Sequence, residues 1–90
     1  MARPHYRQPM INRMARIEGH VRAVRGMLES ERDCPDVLVQ LSAIRSALDG
    51  VARLVFEDHL DNCVLDAVET GDVQAKIADI KAAFARYFLP

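Results

Sequence analysis

The sequence predicts an all-α fold: a three-helix subunit with one long central helix, packed as an antiparallel bundle and completed by self-association. Three observations carry this reading. Apolar residues recur at alternating intervals of four and three along most of the chain, the spacing of a helix-packing seam. Four Gly and four Pro in 90 residues leave few interruptions, and 6% aromatic residues with no Trp favour aliphatic seams over a broad globular core. The uninterrupted stretch at residues 35–70 would make a helix about 54 Å long, whereas a compact 90-residue globule has a radius of gyration of roughly 12 Å. So long a helix on so small a chain leaves part of its apolar stripe for other copies to cover.

Residues 1–8, MARPHYRQ, hold two Arg, His5 and Pro4 without a period and read as a flexible arm; residues 9–90 then form a single three-helix domain. Pro9 suits the first turn of a helix running to Ser30, whose seam is Met10, Met14, Ile17, Val21, Val24 and Leu28. The segment SERDCP breaks the pattern, with Asp33 or Cys34 opening the second helix and Pro35 in its first turn. Val37, Leu41, Ile44, Leu48, Val51 and Val55 repeat the same spacing, widened by Leu38, Leu54 and Val64. Gly71 stops this helix and Asp72 caps a third, whose seam is Val73, Ile77, Ile80, Phe84 and Tyr87 with Phe88 beside it.

Reactive residues stand at both ends of the long helix. His59 and Cys63, four apart, share one helix face and supply two soft ligands that want a third. Cys34 is that third, but 25 residues of continuous helix, about 37 Å, keep it from His59 within one chain. An antiparallel copy of the helix brings it from the neighbour. The two-fold then falls near Ala47 and Leu48, where Ser46, Ala47 and Gly50 are small enough for close approach. Two thiolates and an imidazole suit Cu(I), with Zn(II) fitting if a fourth donor exists, and the lack of a carboxylate argues against Mg(II) or Ca(II).

The net charge of −1 conceals an uneven distribution: residues 1–32 hold seven Arg against three Glu (+4), and residues 33–90 hold five basic against ten acidic residues (−5). On a helix, Arg13, Arg16 and His20 fall on one flank of the first seam and Arg22 and Arg25 on the other. Arg13, Arg16, Arg22 and Arg25, together with Arg45 and Arg53, are candidates for a phosphate-binding face, whereas His20 stands isolated and reads as a solvated or packing histidine. No helix-turn-helix, zinc-finger or ribbon pattern is present, so DNA binding here would use backbone charge and DNA shape. The chain offers no third group for a catalytic triad, no Gly-rich phosphate loop and no cleft for a small-molecule substrate, so an enzyme is not expected. No apolar run approaches the ~20 residues of a membrane span and no signal-peptide pattern opens the chain, so a cytoplasmic protein without membrane partners is expected.

INRMARIEGHVRAVRGMLES, DCPDVLVQLSAIRSAL and FEDHLDNCVLDAV together resemble the copper-sensitive operon repressor (CsoR/RcnR/FrmR) family over about residues 10–88. The resemblance implies a dimer-of-dimers homotetramer that binds operator DNA when metal-free and releases it when the effector binds. It implies Cu(I) ligands at Cys34 of one subunit and His59 and Cys63 of another, and a DNA contact at Arg13. The family also holds nickel, cobalt, formaldehyde and persulfide sensors. Ala2 stands where nickel and cobalt members carry a histidine, although His5 is nearby to serve Ni(II) or Co(II). Ala2 and Cys63 argue against formaldehyde, and His59 argues against persulfide. Asp33 and Asp79 occupy positions where copper sensors often have a Tyr and an outer-shell Glu, making Asp79 the candidate partner for the ligands. Gly50 replaces a helix-two Arg of some members, leaving more of the DNA contact to Arg45 and Arg53. The reading is a Cu(I)-responsive repressor; the alternative outside that class is a helical metal-storage or interaction protein without DNA binding.

Overall fold

The computed structural model describes residues 7–90, so His5 and most of the expected amino-terminal arm lie outside the described residues. Three helices follow in order: α1 (Arg7–Glu29), α2 (Cys34–Thr70) and α3 (Val73–Phe88), with no strand among the described residues. The long central helix forms unbroken. α1 starts two residues ahead of Pro9, which leaves this proline in the first turn, where backbone N–H groups have no intrahelical acceptor to lose. No helix among the described residues is long and apolar enough to cross a membrane.

Local chemistry sets each helix end. At the exit of α1, Arg32 N donates to the Met27 carbonyl at 2.9 Å and Glu31 N to the Leu28 carbonyl at 3.2 Å. This paired closure needs a left-handed residue, normally Gly, and here Glu31 takes it with φ 58°. At the opening of α2 the Asp33 carbonyl accepts from Asp36 N and Val37 N, at 3.1 and 3.3 Å. Gly71 ends the helix with φ 76°, and its N–H donates to the Ala67 carbonyl at 2.8 Å. Asp72 then caps α3, its Oδ1 accepting from Ala75 N at 3.2 Å.

The described residues divide into two compact units, 7–51 and 52–90. In the first, α1 and the opening half of α2 run antiparallel, because His20 lies against Gln40 while Arg13 lies against Gly50. Its core is Ile17, Val24, Val37, Ile44 and Val51, with Met27 packed against it. Each helix thus buries one residue in seven, and the expected seam was twice as dense. Its other members, Met14, Val21, Leu28, Leu41 and Leu48, are 39–60% exposed. Two helices meet along one line, so the adjoining apolar ridge lies on the flank and needs a further helix to cover it.

The second unit joins the rest of α2 to α3 across the turn at Gly71. Phe56 packs edge-on against Phe84 and Phe88, with ring centroids 5.8 and 5.6 Å away, and Phe84 stacks on Phe88 at 5.1 Å. Nearer the turn, Lys76 Nζ reaches Asp66 Oδ2 at 3.6 Å. α3 buries no residue fully; Val73, Ile77, Phe84 and Tyr87 of its expected seam stay exposed.

Glu31 gives a direct check on the turn. A left-handed conformation costs a non-glycine residue roughly 1–2 kcal/mol, so Glu31→Gly is expected to stabilise the protein by about 1 kcal/mol. Thermal unfolding followed by circular dichroism should show a midpoint raised by about 4–8 °C. A lowered midpoint would contradict the left-handed turn.

Candidate metal centre and basic face

One turn of α2 places His59 and Cys63 together. Cys63 Sγ lies 3.5 Å from His59 Nε2, with the cysteine buried and the histidine half-buried. The direction of that contact depends on which ring nitrogen of His59 carries the proton. Burial pushes the Cys63 thiol above its ordinary range, and the Asp79 carboxylate pushes it further. Lys76 opposes these effects, and Asp66 adds to them. Both cysteines are free thiols.

Cys34 is the first residue of α2, is exposed, and belongs to the first unit. Among the described residues no three His, Cys, Asp or Glu side chains gather closely enough to hold a metal ion. One chain therefore presents a two-donor half-site and, separately, a single thiol. The donor set is soft throughout, which fits Cu(I) and leaves Mg(II) and Ca(II) without oxygen ligands.

Surroundings of the half-site that spacing alone did not single out are Lys76, Asp66 and an apolar hollow. The hollow, about 320 Å³, is bounded by Cys63, Val64, Ala67, Val68 and residues of α3 including Lys76 and Ile80. The signal for this grouping was available. A two-residue turn at Gly71 and Asp72 folds the start of α3 back on the end of α2, so Lys76 meets Asp66 ten positions earlier.

The arginines occupy several separate places. Arg13, Arg16 and His20 line a cavity of about 340 Å³ with Ile17, facing Ser46, Ala47 and Gly50 of α2. Arg22 and Arg25 border a second hollow of about 430 Å³ with Met14, Val21 and Leu48, and Arg25 Nε pairs with Glu29 at 3.2 Å. Arg45 stands by Leu38, Leu41 and Ser42, while Arg53 is exposed in the second unit. His20 Nε2 is 2.7 Å from Gln40 Oε1, a cross-helix contact for which neither residue's spacing gave a sign.

Comparison with known proteins gives consistent results. Residues 6–86 match the family described as metal-sensitive transcriptional repressor. The copper-sensing transcriptional repressor CsoR of Bacillus subtilis (strain 168) is 42% identical over 76 residues, covering 84% of this chain and 75% of that protein. The structure of the nickel-responsive transcriptional regulator InrS is similar with a TM-score of 0.85 at 40% identity, over 98% of each chain. That of the copper-sensing repressor CsoR with Cu(I) from Geobacillus thermodenitrificans NG80-2 gives 0.82 at 32% identity, over 97% of this chain and 93% of that one.

The two thiols differ enough in burial to be told apart chemically. In metal-free native protein Cys34 is expected to be alkylated by iodoacetamide at least about ten times faster than Cys63, since reactivity needs an accessible thiolate. Peptide mass mapping after timed quenching measures both rates, and equal rates would contradict the buried position of Cys63.

Proposed function

The chain belongs to the family of metal-sensitive transcriptional repressors, and from that premise we propose that it represses transcription by binding operator DNA when metal-free and is released by Cu(I). The observation that carries the metal assignment is the half-site itself: a thiol and an imidazole nitrogen 3.5 Å apart on one helix face. Two such donors are incomplete, and Cys34 of a second chain is the soft third. Cys34 of one chain with His59 and Cys63 of another would hold the ion, which would supply a link between the two chains.

The protein's own residues set the terms of that event. Cys63 must give up a proton that burial and Asp79 both help it keep, so metal binding and deprotonation are linked. Asp79, close enough to act on the thiol, is the outer partner that would feel the change. Release of DNA then requires only that the metal-bound and metal-free assemblies differ in DNA affinity.

Self-association is supported by the uncovered ridge of Met14, Val21, Leu41 and Leu48, which gives apolar surface for neighbouring helices. An antiparallel pair of α2 helices crossing near Leu48 on this ridge, with Ser46, Ala47 and Gly50 turned instead toward Arg13 and Arg16 of α1, would assemble two metal sites, and two such dimers the tetramer. Arg13, Arg16, Arg22, Arg25, Arg45 and Arg53 then supply charge for a DNA backbone. A second reading, Ni(II) or Co(II) sensing, is favoured by the likeness to a nickel-responsive regulator over nearly the whole chain.

Anaerobic titration of the tetramer with Cu(I) and with Ni(II), while fluorescence anisotropy follows a labelled fragment of its own upstream DNA, separates these readings. Cu(I) is expected to bind one equivalent per chain and weaken DNA binding by about ten- to hundredfold, typical of allosteric coupling. Cys34→Ala should still bind DNA but lose the response. Tight Cu(I) binding with unchanged DNA affinity would sink the repressor mechanism, and a normal response in Cys34→Ala would sink the intersubunit site.

A further inference from the structure

The cavity between α1 and the opening half of α2 has a composition that DNA contact by exposed arginines does not require. Its α1 wall carries two guanidinium groups and an imidazole, from Arg13, Arg16 and His20. Its α2 wall is Ser46, Ala47 and Gly50, so the side facing the cations is nearly bare of side chain and adds one hydroxyl. No carboxylate lines it. The described ion pairs take Arg25, Arg32 and Lys76, and none takes Arg13 or Arg16.

Gly50 keeps the space open. A methyl built there would stand 3.6 Å from Arg13 Nη1, so the guanidinium lies over the glycine and any longer side chain would enter the cavity. Gln40, 2.7 Å from His20 Nε2, holds the imidazole in place. The volume of about 340 Å³ compares with about 30 Å³ per liquid water, which leaves room for a hydrated tetrahedral anion. Planar guanidinium forks match phosphate oxygens two at a time, and a serine hydroxyl supplies a further donor.

We propose that this cavity is a binding site for one tetrahedral phosphate-class anion per chain, occupied by a free phosphate or phosphomonoester or by a single backbone phosphate of DNA. The DNA arm rests on the repressor reading above; the free-anion arm does not. A site of this kind makes operator affinity depend on which phosphate holds the seat, separately from general salt screening.

The test uses full-length, metal-free protein titrated with inorganic phosphate by calorimetry, in buffers held at constant ionic strength with chloride. Wild type is expected to show saturable binding of one phosphate per chain. Arg13→Gln and Arg16→Gln should each weaken it about tenfold, the scale of a charge-assisted contact. Gly50→Leu keeps both cations and improves helix propensity, yet should abolish binding by filling the cavity. Circular dichroism confirms that each variant retains its helices, and the two arginine variants decide the matter should Gly50→Leu fail to fold.

Phosphate heats no different from those of matched chloride, or a folded Gly50→Leu that binds phosphate like wild type, would overturn the proposal. Competition against the upstream DNA fragment identifies the occupant: displacement by phosphate at constant ionic strength means a backbone phosphate uses the seat, and binding without displacement means a free anion does. DNA binding without saturable phosphate binding defeats this site and leaves the repressor reading intact. Phosphate binding without DNA binding does the reverse.

Discussion

Ile17 and Val24 on α1, with Val37, Ile44 and Val51 on α2, bury one residue in seven from each helix, and much else follows from how narrow that line is. A seam this thin removes little apolar surface from water, against the entropy of ordering two helices. The adjoining ridge of Met14, Val21, Leu41 and Leu48 is apolar and uncovered. The same narrowness leaves hollows on both sides of the line, and the arginines of α1 border them. Incomplete burial and cationic concavities are therefore two results of one packing choice.

The half-site depends on a different economy. Helical spacing alone brings His59 and Cys63 within 3.5 Å, so no tertiary contact is needed to place these two donors. What the fold adds is environment. The turn at Gly71 returns α3 so that Asp79 and Lys76 act in opposite senses on the thiol, and the neighbouring apolar wall keeps Cys63 from water. The two residues are set locally, and how firmly Cys63 holds its proton is set by its burial and by the charges of α3.

Legibility in the sequence divides along the same boundary. Features with short-range causes were readable: three helices, the stops at Ser30 and Gly71, the Asp72 cap, and the pairing of His59 with Cys63. The four-three spacing identified both ridges of each seam and could not say that only one faces inward within a chain, because that depends on how many helices are present. The Glu31 turn was invisible, since a left-handed glutamate leaves no compositional sign. Lys76 near Cys63 and Gln40 against His20 were missed because both are contacts between helices.

The His20–Gln40 contact has a consequence for how α1 finds its place on α2. Apolar residues that repeat every seventh position on both helices look alike after a slip of one heptad: a valine or isoleucine would still meet a valine or isoleucine. The seam by itself is thus degenerate in register. A histidine matched to a glutamine, and the bulky Arg13 matched to Gly50, each occur once and would both be lost by such a slip. One polar contact and one steric match choose one alignment among several of comparable apolar packing, and so determine which side chains share a cavity at all.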